Sequence, residues 1–431
     1  MLFARTVAAG WRMDNARPAI ILRGMTHDTD VLIAGGGLNG TSLALALASG
    51  GLRVTLVDPA PAGVREDPEF DGRSYALALT SQRLLTVLGV WADVAAQSQP
   101  ILEIKVTDGR AGEGPSPFVL EFDHAEIEEG PMGHMVEDRF LRGALLRAVA
   151  ASDRVTQVEG TVTDHRIVDG GVEAVLSDGQ RIRARVIAGC DGRTSPTAAR
   201  AGIRRQGWRY GQTALVCAIS HERPHGGIAH QFFMPPGPLA ILPLSDNRSS
   251  IVWSETEASA ARIQSLDDED YLAVLRPRFG DFLGEISLAG KRWTYPLALS
   301  MTLSFTGERL ALVGDAAHAM HPIAGQGLNA GLKDVAALAE VLTDARRRGE
   351  DIGRPEVLER YQRWRRFDTT TLLLATDFFN RLFSNDNGLL RLARDLGMGA
   401  VNAMPGVRRR FIREAAGLSG DLPRLLQGRP V

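Results

Sequence analysis

The sequence predicts an α/β protein: a parallel sheet flanked by helices, interrupted by an inserted antiparallel β-sheet and closed by a helical C-terminus. Three stretches predict it: "DVLIAGGGLNGTSLALALASGGLRVTLVDP", "RVIAGCDGRTSPTAARAGI" and "RLALVGDAAHAMHPIAGQGLNAGLKDVAALAEVL". Each sets an apolar run of strand length before a glycine-bearing turn and a helix start, the pattern of a doubly wound sheet buried on both faces. At 431 residues, 44% hydrophobic and 23% charged, the chain is an ordinary globular protein long enough for two domains.

In the first stretch Val31 to Ala34 reads as a buried strand and Gly35 to Gly40 as G-x-G-x-x-G. Thr41 to Ser49 follows as a small-residue helix, and Val54 to Val57 as a second strand ending at Asp58. This is a Rossmann-like βαβ unit. Gly35 makes the tight turn, Gly37 admits a pyrophosphate to the backbone, and Gly40 lets the helix pack on the strand. The helix N-terminus offers free N–H groups to the phosphates. Asp58, 18 residues beyond Gly40, stands where an acid accepts the hydrogen bonds of an adenosine ribose.

Glycines alone do not separate FAD from NAD. In the second stretch a strand over Arg185 to Ala188 leads to a turn at Asp191-Gly192, with Thr194, Ser195 and Pro196 as helix-start residues. In the third, Asp315 lies just past the carboxyl end of the strand Leu310 to Val313, where a ligand of an open α/β sheet sits, and is placed to hold a polyol such as a ribityl chain. Pro322 to Gly327 then form a loop that can lie flat on a planar ring, since Gly325 and Gly327 carry no side chain. A helix expected from about Asn329 to Leu342 aims its positive end at that ring, which suits a reduced flavin.

The three motifs, in this order, resemble the FAD-dependent aromatic-ring monooxygenases of the p-hydroxybenzoate hydroxylase-like fold. "HPIAGQGLNAGLKD" matches the signature of the ubiquinone-biosynthesis hydroxylases of the UbiH, UbiF and Coq type. "FDGRSYALALTSQRLLTVLGVW", "HMVEDRFLRGALLRAV" and "YGQTALVCAISHERPHGGIAHQFFMPPGPLAILPL" extend the likeness over roughly residues 28 to 405. The resemblance implies hydroxylation of a polyprenylated phenol, of the 2-polyprenyl-6-methoxyphenol type, with FAD as cofactor, NAD(P)H as transient donor and O2 as co-substrate, through a flavin C4a-hydroperoxide. Carried over, Arg73 and Arg139 contact FAD, and Asp191 and Gly192 serve both FAD and the nicotinamide donor. Asp315 holds the ribityl-pyrophosphate part, and Gly325, Gly327, Leu328 and Asn329 line the isoalloxazine. His321 and Pro322 fall beside the ring, and no side chain is assigned as acid or base. Two departures stand out: Phe232-Phe233 replaces a frequent Arg-Phe pair, and Asp58 replaces the usual Glu.

On this reading residues 1–27 are an extension, and 28–100, 130–204 and 300–345 form the discontinuous FAD-binding domain. Residues 101–129 and 205–299 form the β-sheet substrate domain, and 346–431 the C-terminal helical region. Strand-like alternation in "ILEIKVTDGR", "PFVLEF" and Tyr210 to Trp253, with breaks at "RPHGG" and "MPPGP", supports the insert. Phe232, Phe233, Met234, Leu239 and Ile241 are candidates for a hydrophobic substrate site, with core packing the stronger expectation for any one of them. No second G-x-G-x-x-G is evident, so NAD(P)H visits rather than resides.

The remaining features exclude more than they assign. Lys plus Arg (49) balance Asp plus Glu (51), so no basic field favours nucleic acid. Cys190 and Cys217 are too few for a disulfide framework or a cysteine metal site, and suit a reducing, cytoplasmic setting. His318 and His321, spaced H-x-x-H, lack a third ligand nearby, and no metal is expected. The first 24 residues contain four Arg and one Asp, consistent with a targeting segment or an early start before Met25. Leu, Phe and Arg in "TLLLATDFFNRLF", "LLRLARDLGMGAV" and "RRRFIR" suit a membrane surface or the other subunits of a biosynthetic complex. The oligomeric state is not legible. A halogenase on the same fold carries W-x-W-x-I-P, which no Trp here supplies. A reductase, another aromatic hydroxylase or a non-catalytic flavoprotein scaffold stay open as alternatives.

Overall fold

A computed structural model describes residues 27–61, 69–110, 114–320, 325–383 and 401–431. The expectations for the N-terminal extension and for most of "LLRLARDLGMGAV" lie outside the described residues. The chain opens with β1 (Thr29–Ala34), α1 (Leu38–Ser49) and β2 (Val54–Asp58). It crosses β3 (Ser74–Ala78), α2 (Leu79–Val87) and β4 (Gln99–Ile101) to the hairpin of β5 (Glu103–Arg110) and β6 (Gly114–Asp123). It returns through β7 (Gly133–Glu137), α3 (Asp138–Ala151), β8 (Val155–Glu159), β9 (Val162–Val168), β10 (Gly171–Leu176), β11 (Arg181–Gly189) and α4 (Pro196–Arg200).

The second excursion comprises β12 (Arg205–His221), β13 (Ile228–Met234), β14 (Gly237–Leu244), β15 (Arg248–Thr256), α5 (Glu257–Gln264) and α6 (Asp268–Phe279). It continues with β16 (Ile286–Leu288) and β17 (Trp293–Thr302) before β18 (Thr306–Gly307), β19 (Leu310–Leu312) and β20 (His318–Ala319). Helices α7 (Gln326–Arg347), α8 (Pro355–Phe383) and α9 (Pro405–Ala415) follow.

The first sheet runs β19-β11-β1-β2-β8 in parallel, with β18 antiparallel at one edge and β10 and β9 added antiparallel through β11. Every residue of β1 is buried, as a strand covered on both faces must be. Leu43 and Leu47 of α1 and Leu338 and Leu342 of α7 are fully buried in the same core, each stabilising it by about 1.5–3 kcal/mol. The registers Ala34↔Val57, Ala34↔Gly189 and Gly189↔Leu312 bring the carboxyl ends of four strands into line. That alignment assembles the three motifs.

The second sheet has the order β20-β17-β12-β15-β14-β13-β5-β6, with β16 on β12. It is not purely antiparallel as expected, because β5 and β13 pair in parallel. A tight turn forces antiparallel pairing, whereas β5 reaches β13 by way of the first domain and no turn sets its direction. One face is closed by α5 and α6 over Leu215, Leu239, Ile241, Ile251 and Trp253. Phe232, Met234, Leu239 and Ile241 belong to that closed core, so they are packing residues, and of the five candidates Phe233 alone turns the other way, against Val106, Leu120 and Leu382. A third sheet, β3-β7-β4, lies between the two.

Candidate functional site

The glycine turn after β1 has the geometry its spacing demands. Gly35 adopts φ +106°, and a Cβ there would lie 2.4 Å from the carbonyl oxygen of Cys190, so Gly35 admits the turn after β11. A Cβ on Gly40 would lie 1.9 Å from the Gly35 carbonyl oxygen. A Cβ on Gly37 meets nothing within 4 Å. Helix α1 starts at Leu38, three residues earlier than expected, with extended Gly37 as its N-cap. Gly40 is thus inside the first turn, where its missing side chain permits helix and strand to touch.

Three acids stand at the strand ends. Asp58 closes β2 and accepts hydrogen bonds from the Gly36 N–H (2.6 Å) and the Ala60 N–H (2.9 Å), bracing the glycine turn. Asp191 accepts from the Ser195 hydroxyl and the Thr197 N–H, while Ser195 caps α4 by accepting from the Ala198 N–H. Beside it Gly192 has φ +80° and a Cβ direction clear of protein. The Asp315 carboxylate has no hydrogen bond among the described residues, and the Arg205 guanidinium holds the turn by donating to the Asp315 and Ala316 carbonyls.

Helix α7 also begins three residues earlier than expected, at Gln326. Its N-cap, Gly325, is left-handed (φ 64°, ψ 24°), and a Cβ there would lie 2.8 Å from that of Ala76. Gly327 is therefore in the first helical turn, and a Cβ on it would meet nothing within 4 Å. Among the described residues no side chain caps α1 or α7, whereas Thr256 and Asp267 cap α5 and α6. Two uncapped helix N-termini at the strand ends make a place for an anion.

The Asn329 side chain is held by four hydrogen bonds at the start of α7. Its Oδ1 accepts from the Ala78 N–H (2.9 Å) and the Ser81 hydroxyl (2.7 Å), and its Nδ2 donates to the Ala76 and Gly325 carbonyls. Nearly the whole capacity of the amide is spent inside the protein. Asn329 ties the α7 start to β3 and α2.

Two groupings were not expected from the sequence. Asn39, in the first turn of α1, fills the space that a Cβ on Gly314 or Gly331 would need, at 2.2 and 2.5 Å, and so joins the first motif to the third. The signal was Gly331, a helix-interior glycine that marks a close approach. Beneath the Asp315 turn, buried Asp334 accepts from His318 Nε2 (2.6 Å), Arg365 Nε (2.8 Å) and the Gly314 N–H (3.0 Å). Burial pushes the Asp334 carboxyl up, but His318 and Arg365 more than offset this and hold it below the usual carboxylate range. No His/Cys/Asp/Glu group able to hold a metal occurs among the described residues.

Arg73 and Arg139 come together at the β7–α3 junction. Arg73 pairs with Asp71 (2.7 Å) and Asp138 (3.6 Å) and lies over Trp293 of β17. Arg139 pairs with Glu137 (2.7 Å) and lies over Phe70 and Phe140. Glu137 also meets Arg248 of β15 at 2.8 Å, so this junction ties the third sheet to the second. His321 and Pro322 lie outside the described residues.

Over residues 28–373 the chain matches the FAD binding domain family. It is 46% identical over 412 residues to ubiquinone hydroxylase UbiL of Rhodospirillum rubrum, covering 93% of each chain. This chain is a member of the FAD-dependent ubiquinone-biosynthesis hydroxylases. The family also includes the 3-demethoxyubiquinol 3-hydroxylase of Escherichia coli, 36% identical over 90% of this chain and 99% of that one. The fold is that of p-nitrophenol 4-monooxygenase PnpA from Pseudomonas putida, with TM-score 0.75 at 18% identity over 92% of this chain and 99% of that one.

The protein is therefore an FAD-dependent aromatic hydroxylase, and NAD(P)H and O2 are the usual co-substrates of its class. The residues present fit the cofactor. Among the described residues, backbone at Gly37, Gly192 and Gly327 is clear of neighbouring protein, no side chain caps either flanking helix, and the Asp315 carboxylate, with Arg205 nearby, accepts no hydrogen bond. A hydroxylase of this family needs no side-chain nucleophile; it needs a backbone that can lie against a ring and donors aimed where charge gathers.

Proposed function

We propose that this hydroxylase acts on the ring of a polyprenylated phenol of the 2-polyprenyl-6-methoxyphenol type. The observation that carries the reading is the pair of helix N-termini, α1 and α7, with no side-chain cap among the described residues, together with unobstructed Gly37 and Gly192 past the ends of β1 and β11 and Gly327 in the first turn of α7, in a chain related to ubiquinone hydroxylases along nearly its whole length. Gly35, Gly37 and Gly40 with the α1 N-terminus would hold the FAD pyrophosphate, Asp58 the adenosine ribose and Asp315 the ribityl chain. Gly325, Gly327 and Leu328 would seat the isoalloxazine, with Asn329 keeping their turn in shape. Arg73 and Arg139 would approach the cofactor from the β7–α3 junction, and Asp191 and Gly192 from the β11 turn.

When bound, FAD supplies hydride acceptance from NAD(P)H and the activation of O2. The N–H groups opening α7 favour negative charge on a ring laid against them. The second sheet covers the site and keeps water from the reacting atoms. In the expected assay the purified protein oxidises NAD(P)H faster when the phenol is present, consuming O2 in step with product. Deleting the gene should accumulate the quinone precursor that lacks the hydroxyl this enzyme adds. Stimulated NAD(P)H oxidation yielding only hydrogen peroxide would speak for an oxidase.

A lipid-resident substrate calls for contact with a bilayer. No helix among the described residues is long and apolar enough to cross one. Helix α8 instead presents Phe367 and Leu374, 80% and 58% exposed and two turns apart, near Arg363 and Arg366. On this proposal the stripe rests on an anionic membrane surface, with the arginines at headgroup level. Vesicles rich in anionic lipid should sediment the protein, and F367S/L374S should stay in solution with its flavin retained. Equal sedimentation of the variant would remove α8 from the contact.

A further inference from the structure

The second sheet has one closed face and one that packs on the first domain, and the two differ in burial. Gln231 of β13 lies opposite Val106 of β5 and Ala240 of β14. Ala240 lies opposite Val252 of β15, and Val252 opposite Val216 of β12. These five side chains form one row across the sheet, and all five are half-buried. The chain neighbours of Ala240, Val252 and Val216, turned to the other face by strand alternation, are not: Leu215, Cys217, Leu239, Ile241, Ile251 and Trp253 are each 0–1% exposed, while His230 and Lys105, beside Gln231 and Val106 at the edge, are half-buried. The open row is therefore a property of the inner face and not of a loose sheet.

Walls stand on either side of it. Along one side Ala218, Ala229 and Leu242 pack with Leu79, Met132 and Met135 of the first domain. Along the other Phe233 packs with Leu382 at the end of α8. Between them the row offers four apolar side chains and one amide. The Gln231 Nε2 is buried without a partner, and the side chain makes no hydrogen bond among the described residues. Desolvating an amide without a partner is costly, and of the buried polar atoms without one, which include the Asn39 Oδ1 and the Gln264 Oε1, the Gln231 Nε2 is the one in this row. Whichever way it is turned, the amide presents a donor and an acceptor side by side, a match for a ring hydroxyl.

We propose that Gln231 is the substrate-recognition residue of this hydroxylase: its amide hydrogen-bonds the ring oxygen of a phenol whose ring and apolar substituents lie along Val106, Ala240, Val252 and Val216. The assignment rests on the phenol-hydroxylase reading and names the group that distinguishes a phenol from a plain arene. It also separates Gln231 from its neighbour Phe232, which alternation sends to the closed core.

The test uses FAD-loaded full-length protein and two small probes, 2-allylphenol and allylbenzene, with binding read from the change each makes in the flavin absorbance. Wild type should prefer the phenol by about tenfold, the worth of one well-made hydrogen bond. Gln231→Leu should bind allylbenzene as wild type does and lose the preference. Gln231→Met, closer in length, should behave likewise, and the flavin content of each variant reports its folding. A packing role would weaken both probes alike and leave their ratio intact, so an unchanged ratio in both variants overturns the assignment while the phenol-hydroxylase reading stands. If wild type answers to neither probe and to no phenol, that reading fails, and the assignment with it.

Discussion

Gly40→Ala will yield a protein without bound FAD, although alanine is the better helix former. In an exposed helix the exchange stabilises by about 1 kcal/mol. Here the added Cβ would stand 1.9 Å from the Gly35 carbonyl oxygen and 3.4 Å from the Cys190 Cβ. The first obstacle is backbone, which cannot rotate away, so either α1 lifts from β1 or the glycine turn moves. Both displace Gly37 and the helix N-terminus from the place the pyrophosphate needs. Gly37→Ala is the matched control, because its Cβ meets no atom of the described residues within 4 Å. It should keep wild-type thermal stability while binding FAD weakly, the added methyl clashing with the ligand alone. Flavin-to-protein ratio and melting temperature, measured on both variants, separate the two effects. A yellow, fully stable Gly40→Ala protein would mean that helix and strand do not meet as described.

Asp334→Asn should be the most destabilising polar exchange near the site. It leaves the Arg365 guanidinium buried with its principal counter-charge gone and turns one acceptor towards the His318 and Gly314 donors into an amide. Removing one member of a buried ion pair costs about 3–5 kcal/mol. Denaturant unfolding monitored by circular dichroism should show that loss, and Arg365→Met in the same chain should restore part of it. Acid should reproduce the effect in the wild type. The Asp334 pKa is lower in the folded protein than its ordinary 3.8, so the unfolded chain binds the proton more readily. The contribution is fully present above that value and is lost as pH falls towards the folded pKa. Asp334→Asn should show a shallower decline in stability over that acid range than wild type.

What the sequence revealed and what it hid divide by range. G-x-G-x-x-G, the Asp191-Gly192 turn and the Gly325/Gly327 start of α7 are local: their residues adjoin in the chain, and a glycine's conformation or clearance can be argued from its neighbours. The convergence of these turns was also legible, because parallel strands must place their carboxyl ends on one side. Both helix starts were misplaced by three residues for one reason. Sequence marks a helix where side chains begin, and here the first turn is deliberately short of them, with Gly40 and Gly327 inside it. Asn39 between Gly314 and Gly331, and Asp334 with Arg365, depend on how α1, α7 and α8 pack, which no local pattern records. The face of Phe232 and of Gln231 depends on register, and a shift of one residue would exchange them. The parallel pairing of β5 with β13 was hidden because the two strands meet without a turn between them.

The central claim is that oxygen activated at this flavin ends on a phenol ring. Supplying the FAD-loaded enzyme with NAD(P)H, the polyprenyl phenol and heavy-isotope O2 tests it in one experiment. One heavy oxygen atom should appear in the ring of the product, at a yield close to the NAD(P)H consumed. Product that carries its new oxygen from water, or NAD(P)H consumed with the phenol returned unchanged, would contradict it.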